Sequence, residues 1–171
     1  MMTRILFVLF ALIATLFVKA QETETIPSPK TITTTNFPEK LGLVNDHVGI
    51  LTAEEVAKLT TQLTAYQSKT KRNLYIVMVD DTKPYQNMVD YTRDLSLEWG
   101  LTPDDEKDLM IVLGFDIHDV RVLSSSENLE KLSLDFLNSV LNDSLLANFN
   151  EGKFYQGLHL ASKRIMEAWG E

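Results

Sequence analysis

Residues 108–125 read DLMIVLGFDIHDVRVLSS, the one place in this chain where two apolar strands stand back to back. Leu109-Met110-Ile111-Val112-Leu113 is a continuous apolar run, of the length expected for a strand buried on both faces in the middle of a sheet flanked by helices. It is too short for a free-standing helix. Val120-Arg121-Val122-Leu123 follows after Asp116-Ile117-His118-Asp119, a polar gap short enough for a hairpin connection, so the second strand is expected to return antiparallel. Arg121 marks it as the more exposed strand, nearer an edge.

Working outward on the amino side, Asn73 to Asp80 (NLYIVMVD) is a second strand, ended by Asp80-Asp81-Thr82. A helix from about Tyr85 to Trp99, with Met88, Thr92, Leu95 and Trp99 on one side, stops at Gly100 and is followed by Pro103. Strand, helix, strand in this order makes the strands at Leu74 and Leu109 parallel neighbours. Earlier still, Thr52 and Glu55 have the spacing of a capping box, with Leu51 and Val56 as a hydrophobic staple. Val56, Leu59, Leu63 and Tyr66 give that helix its apolar stripe, and it ends near Lys69 to Lys71. Order begins near Leu41, and Asn45-Asp46-His47-Val48-Gly49 reads as a turn.

On the carboxyl side, Leu129, Leu132, Phe136, Val140 and Leu141 form a stripe on one helix started by the serines at 124–126. Phe154, Leu158, Ala161, Ile165 and Trp169 form another on the last helix. Four main helices around a small mixed sheet predict an α/β fold, a three-layer α/β/α sandwich of Rossmann-like type.

The amino terminus sets the compartment. Arg4, the apolar stretch Phe7 to Val18 and Val18-Lys19-Ala20 have the order of a signal peptide, predicting cleavage after Ala20. An uncleaved membrane helix is the alternative, but a run of about 14 apolar residues falls short of the roughly 20 that cross a bilayer. Residues 21–38, rich in Thr, Pro and Glu, read as a flexible linker, leaving 39–171 as the folded domain. The mature protein is thus expected in the periplasm or secreted, with no integral membrane segment. The chain has no cysteine, which excludes disulfides, thiolate metal sites and cysteine nucleophiles. Its formal net charge is −8. Removing Arg4 and Lys19 with the leader leaves 14 basic residues against 24 acidic ones and a charge of −10, which argues against nucleic acid as a partner.

Chemistry is less legible. His47, His118 and His159 are scattered, no Gly-rich turn links a strand to a helix, and no G-x-S-x-G elbow is present. What remains is oxygen ligands. Ligands of open α/β sheets sit beyond the carboxyl ends of the parallel strands, where Asp80 and Asp81 fall, and Asp46 and Glu130 are expected to face the same side. Carboxylates from several loops suit a hard cation such as Ca²⁺. Equally, Asp residues terminate strands and fill turns.

The opening Val44-Asn45-Asp46-His47-Val48-Gly49-Ile50-Leu51 before a Thr-capped helix carries a family resemblance. So do the strand Leu74 to Val79, the Trp99-Gly100 helix end, the Leu109 to Val122 hairpin, the Leu129-Glu130 pair and Phe149 to Gly157. Together, in this order, they resemble the TPM domain, found in thylakoid-lumen proteins of photosystem repair and in bacterial envelope proteins. The resemblance covers Phe37 to about Ala168. It implies an α/β/α sandwich, Ca²⁺ binding and, in some members, weak acid phosphatase activity. By position Asp46 and Glu130 match acids of the family motifs; Asp80, Asp81 and Asp108 join the expected metal set by geometry alone. Lys107-Asp108 stands where the family has Asn-Gly, and Ser126-Glu127-Asn128 replaces a glycine-rich turn. These lost glycines weigh against catalysis. The expectation is therefore a non-catalytic Ca²⁺-binding accessory module for assembling or maintaining an envelope or membrane protein complex. The alternative is a weak metal-dependent phosphatase acting on phosphomonoesters.

Overall fold

A computed structural model describes residues 37–101 and 105–170. The expected signal peptide, nearly all of the expected linker and residues 102–104 lie outside them. The elements are β1 (Val44–Asp46), α1 (Ala53–Thr70), β2 (Asn73–Val79), α2 (Met88–Glu98), β3 (Asp108–Gly114), β4 (Asp119–Ser124), α3 (Ser126–Lys131) and α4 (Leu134–Val140). A π-helical stretch, Leu141–Leu146, follows, then α5 (Ala147–Phe149) and α6 (Phe154–Trp169).

The strands line up in the order β1-β2-β3-β4, with β1, β2 and β3 parallel and β4 antiparallel to β3. The mixed sheet and its central hairpin follow the sequence reading. β2 and β3 are buried at every position from Leu74 to Val79 and from Leu109 to Gly114, so helices cover both faces of the sheet. α1 packs on β1 and β2, α6 packs on α1 and on the segment from α3 to α5, and α2 packs against β4.

The helix starts follow from their caps. Thr52 accepts from the Glu55 N–H, and the Glu55 carboxylate accepts from the Thr52 N–H at 2.8 Å, a complete capping box. α2 begins at Met88, three residues later than its apolar period suggested, because the Asn87 side chain accepts from the Asp90 N–H at 2.9 Å. Its end is a Schellman turn: Gly100 at φ +71° lets the Leu101 N–H reach the Ser96 carbonyl at 2.8 Å and the Gly100 N–H reach Leu97 at 3.0 Å.

Two sequence expectations give way. Asn45 and Asp46 belong to β1 rather than to a turn, for a strand of three residues is too short to show a period. The single helix expected from Leu129 to Leu141 is broken at Leu132-Ser133, since Ser133 caps a new helix by accepting from the Phe136 N–H at 3.2 Å. The π-helical turn that follows lies against α6 at Gly157, where a Cβ would stand 2.9 Å from the Leu145 carbonyl. Only glycine permits that approach.

The end of the chain is tied down by Trp169, whose indole N–H donates to Asn128 Oδ1 at 2.7 Å. The Arg72 guanidinium donates to the Trp169 and Gly170 carbonyls at 2.6 and 3.0 Å, satisfying the last acceptors of α6. Phe37 and Pro38, which composition assigned to the linker, already touch the domain: Phe37 packs on Tyr91, and Pro38 accepts a hydrogen bond from Trp99. Among the described residues no helix is long and apolar enough to cross a membrane.

Candidate functional site

The carboxyl ends of β1, β2 and β3 gather Asp46, Asp80, Asp81 and Asp116. Each is placed by the strand before it. Asp46 is the last residue of β1, paired with Met78, and Asp80 and Asp81 directly follow β2. Three of the five acids expected from sequence therefore share one end of the sheet.

The other two do not. Asp108 opens β3 opposite Asn73, so the strand carries it to the amino end, about 20 Å from the carboxyl end at roughly 3.3 Å per residue. Glu130 lies in α3, which starts directly after β4 ends at Ser124 opposite Leu109, again at the amino end. The expectation that Glu130 faces the Asp80 side fails because β4 runs antiparallel and returns the chain to the far end. Asp108 is also engaged, accepting from the Asn73 amide at 2.6 Å, while Asn73 Oδ1 accepts from Gln67 at 2.6 Å.

The acids at the carboxyl end are engaged in loop structure. Asp46 Oδ1 accepts from the N–H groups of Val48 and Gly49 at 3.2 and 2.8 Å, and Oδ2 from Leu51 at 2.9 Å. Asp81 Oδ1 accepts from the Lys83 N–H at 2.9 Å, with the Lys83 ammonium 3.5 Å from Oδ2. Asp116, in the β3–β4 turn, accepts from the Thr82 N–H at 3.1 Å and from the Thr82 hydroxyl at 3.0 Å. Burial pushes the Asp116 carboxyl up. The hydrogen bonds from Thr82, Ile117 and its own N–H outweigh this and hold it below the usual carboxylate range. Sequence reading had placed Asp116 only in a hairpin turn. Its partner Thr82, fully buried just past β2, lies 34 residues away, so no local pattern points to it.

Among the described residues, no three His, Asp or Glu side chains gather in a way that would hold a metal ion. Asp46 already accepts from three backbone donors, and among the described residues no further two acids or histidines gather with it, so the residues as arranged do not form a ready Ca²⁺ site. Asp80 is exposed. Of the histidines, His159 Nδ1 lies 2.7 Å from Gln62 Oε1 across α6 and α1, and His118 holds a left-handed turn position at φ +50°. His47 Nε2 is buried without a hydrogen-bond partner.

The residue that explains the opening motif is Asn45. It is fully buried, and its side chain accepts from Leu41 and Gly42 N–H at 2.7 and 3.1 Å while donating to the Gly42 and Ile76 carbonyls at 3.1 Å each. One amide thus closes the turn before β1 and stitches it to β2.

Two clefts are lined by none of these acids. One, of about 270 Å³, lies between the β1–α1 loop and the start of α6, lined by Ile50, Glu55, Lys153 and Tyr155. The other, of about 170 Å³, runs beside edge strand β4, lined by Val120, Val122, Leu129, Leu137 and Leu141, with Leu134 exposed at its side.

A search of curated proteins finds no match. Solved structures do match in fold. The N-terminal domain of a Porphyromonas protein (P. gingivalis) superposes with a TM-score of 0.66 at 21% identity, over 74% of this chain and 80% of that one. The BA42 protein of Bizionia argentinensis gives 0.58 at 16% identity, covering 70% and 81%. The N-terminal domain of the cg2496 protein of Corynebacterium glutamicum gives 0.56 at 9%, covering 78% and 84%. The sequence profile of the TPM domain matches residues 44–168, from the first residue of β1 to the last turn of α6. This chain belongs to the TPM domain family.

Proposed function

We propose that this chain is a non-catalytic, extracytoplasmic TPM module that assists the assembly or upkeep of an envelope protein complex. The observation that carries the reading is the use made of the acids at the carboxyl end of the sheet. Asp46 and Asp81 accept hydrogen bonds from their own loops and Asp116 from Thr82 in the neighbouring loop after β2, and so shape the surface rather than face a substrate. The leader-like amino terminus supports export. Strand β4 supports a contact surface: it is a six-residue edge beside an open apolar groove, with Leu134 64% exposed next to it. Ca²⁺ binding, which the family resemblance implies, would need further oxygen ligands brought to Asp46.

Site-specific photo-crosslinking in the native envelope tests the reading. A crosslinker at Leu134 or Arg121 should trap a discrete partner, and one at Thr61 on the exposed side of α1 should not. Equal trapping from all three positions would overturn it. Hydrolysis of an aryl phosphate by the mature protein, abolished by chelator and by Asp46→Asn, would replace it with the metal-assisted phosphatase.

A further inference from the structure

The residues just before β1 lie in a slot made of side chains. Phe37 is half-buried between Tyr85 and Tyr91, with ring centroids 5.9 and 5.5 Å away, and those two tyrosines meet edge to face at 5.4 Å. One residue on, the Pro38 carbonyl accepts from the Trp99 indole N–H at 2.9 Å. Two further on, the Lys40 ammonium stands 4.4 Å from the Tyr75 ring centroid and donates to its hydroxyl at 3.3 Å. Glu39, between these anchors, is exposed.

This is the chemistry by which aromatic-lined grooves read extended, proline-containing peptides. An indole N–H takes a main-chain carbonyl, rings flank the apolar anchor, and a ring face takes a cation. Proline keeps the segment extended before binding, so little freedom is lost on docking. The slot's elements are independent of the strap: Tyr75 stands in β2, Tyr91 in α2, and Trp99 at the end of α2.

We propose that the Tyr75–Tyr85–Tyr91–Trp99 face is a peptide-recognition site occupied in cis by Phe37–Lys40, and that its trans ligand is an extended partner segment of the pattern aromatic-Pro-x-Lys. The inference gives the protein-binding reading above a partner chemistry and rests on it. The strap is covalently joined to β1 through three residues, so it competes at an effective concentration of ~1 mM or more. A trans peptide therefore gains the slot only when the strap is weakened or drawn away.

The test uses the full mature chain and a synthetic peptide of residues 33–42, with the same peptide carrying Phe37→Ala as control. The readout is the Trp99 indole N–H resonance, assigned against Trp169. Unaltered protein should show no shift with either peptide. The Phe37→Ala/Lys40→Ala chain should show a saturable shift, with at least tenfold tighter binding of the native peptide than of the control. Equal response to both peptides in the folded variant would overturn the proposal and leave the strap as packing alone. Should the double variant unfold, Lys40→Ala alone removes only the last anchor, and the same comparison decides. Failure here would leave the crosslinking result at β4 unaffected, so the two readings fall separately.

Discussion

The loop that leaves β1 and the strap that enters it flank the same three-residue strand, yet they are held by opposite means. The loop closes on itself beyond one bond to β2, from the His47 N–H to the Met78 carbonyl at 3.0 Å: Asp46 accepts from three N–H groups within five residues. The strap is held by side chains from β2, α2 and the loop before it, distant in sequence. A loop that satisfies its own backbone has nothing to exchange with a partner. A strap held by long-range side-chain contacts can be replaced by any segment offering the same groups.

Asn45 sits where the two meet, and breaking it is the largest effect expected. Asn45→Ala leaves the Ile76 carbonyl short of a donor and frees two N–H groups in the turn before β1, for a loss of about 3 kcal/mol. Urea unfolding should show it as a lower midpoint with an unchanged slope, and Tm should fall on the order of 10 °C. Asp46→Asn comes next. The amide keeps one acceptor and loses the charge, so two or fewer of three bonds survive, for about 1–2 kcal/mol. The same variant sharpens the contrast with a metal site. Because Asp46 serves backbone donors, millimolar Ca²⁺ should move the Tm of neither the parent nor Asp46→Asn. A Ca²⁺-dependent rise confined to the parent would show that Asp46 helps to bind the ion, since saturation at about 100 times Kd adds roughly 2.7 kcal/mol.

How much of this was legible depended on whether the signal was local. The apolar run Leu109–Leu113 and the Thr52–Glu55 spacing announce a buried strand and a capped helix from a few residues, and both stand in the structure as read. The break at Leu132-Ser133 was hidden because Leu129, Leu132 and Phe136 keep a helical period across it, while a serine cap decides the start of α4. The site was less legible than the fold. That Asp46, Asp80 and Asp81 share an end follows from parallel strands alone. Placing Glu130 with them required ignoring the reversal that the hairpin imposes, and placing Asp108 there overlooked that it opens β3. The strap was invisible: Phe37-Pro38 ends a Thr- and Pro-rich stretch, and the rings that receive it lie between 35 and 61 residues away.

Loosening the strap should cost less than either change in the loop. Phe37 is only half-buried, so Phe37→Ala is expected to cost about 1 kcal/mol in global unfolding. Its clearer mark should be local, with faster amide exchange at Lys40 and Leu41 and unchanged exchange in β3. Equal acceleration in both would mean that strap and core open as one unit. Alkaline pH offers a second way in. Burial, then the charge of Asp108, pushes Tyr75 up to about 12; burial, then the charges of Asp116, Tyr85 and Asp81, does the same for Tyr91. A raised pKa in the folded state stabilises below the ordinary value of 10.0, and that stability is lost as pH rises from there towards 12. Tyrosinate absorbance should therefore appear late for these two rings. In Phe37→Ala, which uncovers Tyr91, part of it should appear earlier.

The smallest effect joins the two regions. Asp116 belongs to the carboxyl end of the sheet, yet its charge is the second cause of the shift at Tyr91 beneath the strap. Its own carboxyl is held below the ordinary 3.8, so its contribution is present above that pH and lost as pH falls through and below it. The carboxylate is largely exposed, so solvent screens it and the contribution is modest. Asp116→Asn keeps an acceptor for Thr82 but not the charge. The stability difference between parent and variant should therefore be largest near neutral pH and shrink towards pH 3. The variant's Tyr91 should also titrate slightly lower than the parent's. A difference that stays constant with pH would mean that Thr82 needs only an acceptor at this position, and that the carboxyl end of the sheet and the strap slot are electrostatically independent.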